Sequence, residues 1–284
     1  MLIYAILIIT PEKLAGNCNN LYGESIMKKI IYYFTGTGNS LYIARRLSEL
    51  IDGASVKPIR KQTAADKTAS VIGLVFPVYL WGLPEAVARF IDGMDTGFDG
   101  KYIFAVASYK SQPGDTIGHT AARLKKRGVK LAAGFTVQMP GNNIIYYDAD
   151  TKQAAADKLT AFDEALPGMA QRINNGAQGF SRGNIMERYV LSGVLHRLLT
   201  STLSQADKKF WITPDCSGCG ICKNVCPADN INMSKGHPEW LHRCQQCLAC
   251  IHTCPAKAIE FGKTTIGRER YLNPLVTVKD LMRE

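Results

Sequence analysis

The chain has 284 residues, 46% hydrophobic and 20% charged, which gives enough apolar material for two cores and excludes a disordered or fibrous protein. Its formal charge of +10 taken alone points to an anionic partner. Of nine cysteines, Cys18 stands alone and eight fall between 216 and 254, a pattern that argues against a disulfide scaffold and for metal chemistry in a reducing compartment.

The first nine residues, MLIYAILII, are apolar but too short to cross a bilayer. They lack the positive n-region and small-residue cleavage site of a secretory signal. Residues 1–26 therefore read as an extension outside the fold, with a short membrane anchor as the rival reading. Met27-Lys28-Lys29 leads directly into the first strand.

From 28 to about 175 strands and helices alternate. Apolar, β-rich runs lie at 30–34, 71–78, 102–107 and 133–139, with a weaker one near 55–59. Helical stretches are expected near 40–51, 84–92, 115–127 and 151–174. Such alternation predicts an α/β fold, a doubly wound parallel sheet with helices on both faces.

The turn after the first strand is Thr35-Gly36-Thr37-Gly38-Asn39-Ser40. A glycine turn entering a helix offers free N–H groups to an anion. The dinucleotide fingerprint fails, because Leu41 stands where the third glycine belongs and no acidic residue ends the second strand. The P-loop fails because no Gly-Lys-Ser/Thr follows. What remains is a set of hydroxyls and amides able to hold a phosphate dianion without a basic side chain.

Here the sequence resembles flavodoxin, whose phosphate turn reads T-x-T-G-N-[ST]; residues 35–40 match throughout. The resemblance implies a flavodoxin-like sheet of order 2-1-3-4-5 and an FMN where the order reverses. It also implies two further flavin loops. In FPVYLWGLP the matching positions are Pro77, Val78, Tyr79, Trp81 and Gly82; in ASYKSQPGD they are Ser108, Tyr109, Gly114 and Asp115. Ordinary packing is the other reading for Tyr79 and Trp81. The segment MPGNNIIYY after the fifth strand leaves Asn142 and Asn143 without a role.

Beyond 181, Met186, Tyr189, Val190, Val194, Leu198 and Leu199 fall on one helical stripe, expected to pack as an interdomain linker helix, with a membrane-surface role as the rival that its few charges disfavour. Then CSGCGICKNVCPADNI at 216–231 repeats as CQQCLACIHTCPAKAI at 244–259. Three thiolates at three-residue steps can wrap one iron–sulfur cube. The fourth, followed by proline, cannot easily close the same one and in two-cluster ferredoxins ligates the other. The expected sets are Cys216, Cys219, Cys222 and Cys254 for one [4Fe–4S] cluster, and Cys244, Cys247, Cys250 and Cys226 for the second. Gly218 and Gly220 let backbone lie close to the first. A zinc site would leave the third cysteine of each run unused. His237, His242 and His252 could tune cluster potential through hydrogen bonds, but read first as surface histidines.

Each [4Fe–4S]²⁺ core with four thiolates carries about −2, and an FMN phosphate about −2 more. The loaded protein then sits near about +4, which no longer calls for nucleic acid.

Residues 27 to about 275 resemble a family of bacterial flavodoxin–ferredoxin fusion proteins, through ADKKFW, HRCQQCLACIHTCP and GRERY at 267–271 as well as the motifs above. With the extension at 1–26, the expected division is an FMN domain at 27–178, a linker helix at 179–210 and a small α+β ferredoxin-type two-cluster domain at 211–284. An electron relay between two [4Fe–4S] clusters and FMN is the leading expectation, with unidentified redox proteins as partners, in the cytoplasm, without stable membrane insertion. A flavin-dependent reductase of a small substrate is the alternative, although only Asp115 and His119 offer acid–base groups near the loops. A redox sensor would need a DNA-binding motif, and none is found.

Overall fold

The computed structural model describes residues 27–283. The extension expected at 1–26, with Cys18, lies outside the described residues.

Five strands form one parallel sheet: β1 (Lys29–Tyr33), β2 (Ala54–Pro58), β3 (Val71–Pro77), β4 (Tyr102–Tyr109) and β5 (Ala133–Gln138). Their order is β2-β1-β3-β4-β5, the flavodoxin-like arrangement. Both faces are covered, which is why β3 and β4 read as unbroken apolar runs while edge strand β2 alternates. Helices α1 (Asn39–Leu50) and α4 (Lys152–Asn174) pack together, as do α2 (Glu85–Asp92) and α3 (Thr116–Lys126). Right-handed crossovers send α1 and α2 to opposite faces, because the chain leaves β1 in one direction and β3 in the other. That divergence opens a crevice beyond the C-terminal ends of β1 and β3.

A π-wound helix, Met186–Leu195, continues into α5 (His196–Thr200). Here the structure departs from expectation. Tyr189 and Leu198 are each 62% exposed, and Met186, Val190, Val194 and Leu199 are exposed with them. The buried side belongs to Ser192, whose Oγ donates to Trp81 O at 2.6 Å and accepts from Asp115 N at 2.8 Å. His196 Nδ1 lies 3.1 Å from the carbonyls of both Tyr79 and Leu80. Polar bonds to two loops anchor this helix, so its apolar stripe is turned outward.

The remainder is a small α+β unit. β6 (Phe210–Ile212) pairs antiparallel with β9 (Ile259–Phe261), and β7 (Ile231–Ser234) with β8 (His237–Trp240). Short helices α6 (Ile221–Asn224) and α7 (Ala249–His252) follow the first cysteines of each run. Phe210 stacks on Trp240 at 5.4 Å and meets Phe261 edge-on at 5.1 Å, closing a core shared with Ile231, Leu248 and Ile251. The chain then runs back over the parallel sheet. α8 (Val278–Leu281) carries Asp280, whose Oδ1 pairs with Arg45 at 2.5 Å. Among the described residues no helix is long and apolar enough to cross a membrane.

Candidate functional site

The turn between β1 and α1 is built around Gly38, whose φ of 92° lies in the left-handed region that glycine adopts without strain. Its N–H donates to Thr35 Oγ1 at 3.1 Å. Thr37, Asn39 and Ser40 are all buried, at the first helical turn where amide N–H groups lack intrahelical acceptors. All three side chains are held by distant residues. Thr37 Oγ1 accepts from Asn142 Nδ2 at 2.7 Å, and Ser40 Oγ lies 3.3 Å from Ser108 Oγ. Asn39 is wired on both sides: Nδ2 donates to Pro140 O at 2.9 Å, and Oδ1 accepts from Tyr271 Oη at 2.6 Å and Asn273 Nδ2 at 3.1 Å. The backbone N–H of Asn273 adds a bond to Thr37 O at 2.9 Å.

Thr35, Gly36, Thr37, Asn39 and Ser40 line one cleft with Pro77, Val78, Tyr79, Ser108 and Tyr109. Its volume is about 100 Å³. Three loops distant in sequence therefore face one space. Gly38 sits just behind it, where an added Cβ would strike Val276 at 2.9 Å. Burial raises the Tyr79 phenol well above its ordinary pKa, so it stays protonated.

Trp81, Gly82, Gly114 and Asp115 are not among the lining residues. Tyr79 and Gly82 exchange backbone hydrogen bonds of 2.9 and 3.0 Å around Leu80 and Trp81, both in the left-handed region. This turn sets Gly82 against His196, and Trp81 beside Gly114. The Asp115 carboxylate is fully buried, accepting from Arg182 at 2.7 and 2.9 Å and from Gly183 N at 2.9 Å. Its geometry is that of a pin for the segment entering the π-wound helix.

Sequence reasoning missed the cleft's third wall: Met139, Pro140, Gly141, Asn142 and Asn143, with Lys110, Tyr147, Leu203, Gln245 and Gln246. Lys110 Nζ stands 3.6 Å from the Tyr147 ring centre and 3.5 Å from Asp150. No signal marks the 139–143 loop. The glutamines carry a faint one, since Gln245 and Gln246 replace Ser217 and Gly218 of the first repeat.

Cys216, Cys219, Cys222 and Cys254 line one small cavity with Gly218, Gly220 and Pro255. Burial, with Cys219, Cys254 and Cys216 nearby, pushes the Cys222 thiol up to about 11. In the second set burial pushes Cys244 up to about 12, and Cys226 is among the charges felt by Cys244, Cys247 and Cys250. Cys222, Cys226, Cys244, Cys247 and Cys250, whose thiols burial raises, resist ionisation unless a cationic group compensates, which is the condition iron meets. Among the described residues no group of three or more His, Cys, Asp or Glu is arranged to hold a single metal ion.

Backbone geometry repeats with the cysteines. Gly218 and Gly220 have φ of 70° and 75°; their counterparts Gln246 and Leu248 have 49° and 59°. At these two positions non-glycine residues accept this strain, roughly 1–2 kcal/mol each, in the second run only, while Asp229 and Lys257 share it at the same offset in both runs. There Leu248 packs into the core and Gln246 reaches the cleft. Asn230 N and Ala258 N each lie 3.3 Å from a sulfur, of Cys226 and Cys254, at the same offset in both halves.

The two sites meet at Gly36, where an added Cβ would lie 2.1 Å from the Cys247 carbonyl oxygen. Gln245 Oε1 accepts from Ala86 N at 3.0 Å beside this contact. His252, expected at the surface, is buried: Nε2 lies 2.7 Å from Asn142 O, and Nδ1 accepts from Tyr271 N at 2.9 Å. Burial lowers its pKa to about 4, so it is neutral and joins the cysteine run to the cleft's third wall. His242 is exposed, but its Nδ1 is tied to buried Asp207 at 2.7 Å; His237 is exposed.

Residues 215–259 match the family model for the 4Fe-4S dicluster domain. No curated protein matches the chain. Among solved structures, a putative flavoprotein from Bacteroides uniformis is similar at 20% identity, covering 39% of this chain and 90% of that one, with a TM-score of 0.33. The two-electron reduced flavodoxin of Megasphaera elsdenii gives 24% identity, 38% and 84% coverage and a TM-score of 0.34. A flavodoxin from the domain Archaea gives 14% identity, 52% and 99% coverage and a TM-score of 0.35.

Proposed function

We propose that the chain is an iron–sulfur flavoprotein that relays electrons between two [4Fe–4S] clusters and an FMN. The observation that carries this reading is the contact of Gly36 with Cys247, which puts a phosphate-type turn against a ligand of the second cluster with only backbone between them. In this reading Thr35, Thr37, Ser40 and the first amides of α1 hold the phosphate, Asn142 and Asn39 fix the turn, and Tyr79 and Tyr109 border the ring system. Cys216, Cys219, Cys222 and Cys254 hold one cluster; Cys244, Cys247, Cys250 and Cys226 hold the other. When bound, a flavin accepts one or two electrons and each cluster one, so the pair joins one-electron to two-electron chemistry.

The corresponding division is an FMN domain at 27–178, a linker at 179–210 and a two-cluster domain at 211–284. Cluster thiolates of this kind belong to a reducing, cytoplasmic setting. The wiring of Asp115 to Arg182 removes one of the two acid–base groups that a reductase would use at the ring, which favours the relay.

Anaerobically purified protein is expected to contain about eight irons with acid-labile sulfide and one equivalent of FMN. Thr37→Ala and Ser40→Ala are expected to weaken FMN binding. Zinc without sulfide, or FMN retained unchanged by both variants, would overturn the assignment.

A further inference from the structure

A second, larger depression lies beside the flavin-type cleft and shares Tyr79, Leu203 and Gln245 with it. Its volume is about 1240 Å³, and Cys244, a ligand of the second cluster, lies in its wall. Small-molecule pockets typically measure roughly 300–1,000 Å³, so this groove suits a protruding part of another protein better than a metabolite.

Its charge is one-sided. Seven arginine and lysine side chains line it against two carboxylates. Glu85 and Asp92 are taken up by Arg89 and Arg123. Arg60 and Arg243 donate to backbone carbonyls. Lys61, Lys126 and Arg197 are exposed and have no side-chain partner among the described residues.

The rim is apolar. Arg197 and His119 also border a shallow depression formed with Tyr189, Val194 and Leu198, the outward stripe of the π-wound helix and α5. Apolar anchors beside an unpaired basic wall make the anatomy of a protein-docking surface. A flat bilayer would meet the stripe but not the concave wall that reaches Cys244.

We propose that this groove docks a small acidic one-electron carrier protein, which exchanges electrons with the chain at Cys244. The proposal rests on the relay reading. In each transfer one electron leaves the reduced carrier, oxidising it, and reduces the second cluster; no bond is made or broken.

The test uses the full chain carrying its clusters and flavin, with a small acidic two-[4Fe–4S] ferredoxin as probe and dithionite as the small reductant. The triple variant Lys61→Glu/Lys126→Glu/Arg197→Glu is expected to slow reduction by ferredoxin at least tenfold at low ionic strength, to flatten the salt dependence of that rate and to leave reduction by dithionite unchanged. Titration with oxidised ferredoxin should show binding to wild type and its loss in the variant. Transfer that is fast and indifferent to the substitutions would overturn the docking surface while leaving the relay intact. Binding that depends on the three cations without any transfer would support the surface and overturn the relay. No ferredoxin binding, with sedimentation on phosphatidylglycerol vesicles that depends on the three cations, would overturn the proposal in favour of a membrane.

Discussion

Gly36 of the phosphate-type turn lies directly against Cys247 of the second cysteine run: a methyl group on Gly36 would fall 2.1 Å from the Cys247 carbonyl oxygen and 3.1 Å from its Cβ. Gly36 is not in the left-handed region, so glycine is required by proximity rather than by conformation. Backbone meets backbone, and no side chain separates the two sites.

Gly36→Ala is therefore expected to push the cysteine run off the turn, costing roughly 1–3 kcal/mol in urea unfolding and slowing electron exchange between flavin and clusters in stopped-flow traces. Gly168→Ala, inside α4 with nothing within 4 Å of the added methyl, should instead be neutral or stabilise by up to ~1 kcal/mol. Equal losses in both would point to general fragility.

Asn142→Ala removes the donor to Thr37 Oγ1 and leaves a buried hydroxyl without its 2.7 Å partner. A loss of about 1 kcal/mol in stability is expected, with FMN affinity lowered several-fold in fluorescence titrations. Unchanged affinity would mean that Thr37 keeps its orientation without this bond.

The crossed thiol sets are tested by paired substitutions and iron analysis. Cys216→Ala/Cys254→Ala removes two ligands from one set and should leave about four irons per chain, whereas Cys216→Ala/Cys226→Ala touches both sets and should leave almost none. The reverse pattern would show that each run closes its own cluster.

His196 is partly buried between Tyr79 O and Leu80 O, and desolvation lowers its pKa below the ordinary value. The native state thus binds fewer protons than the unfolded chain as pH falls below about 6.5. Stability should drop with falling pH in that window, by at most about 1.4 kcal/mol per unit from this group, and be insensitive to it above. His196→Gln, which keeps a donor, should flatten the slope of urea midpoint against pH between 5 and 7.

The five strands and four helices of the parallel sheet were legible because two-sided burial leaves continuous apolar runs, and their ends were off by only a few residues. The turn at 35–40 and the cysteine repeat were legible because each chemistry fixes a spacing. The loop at 139–143 was not, since Asn142 acts through a tertiary partner 105 residues away and carries no local pattern. His252 was misread for the same reason: its partners Asn142 and Tyr271 come from other segments. The stripe at 186–199 misled because apolar periodicity says which residues share a face but not whether that face is covered. Trp81 and Gly114 match the flavin loops by position, and the structure sets them against each other outside the residues that line the cleft.

The bond from Tyr271 to Asn39 spans 232 residues. On the ribosome, the turn emerges long before the side chain that completes its support, and the cysteine runs emerge in between. A nascent chain can thus form the parallel sheet early, but the turn at 35–40 acquires its final hydrogen bonds only after the last cysteine has been made. In the relay reading, loading of the two kinds of cofactor is thereby linked in time: flavin capture in its final geometry waits on the same stretch of synthesis that delivers the iron–sulfur ligands.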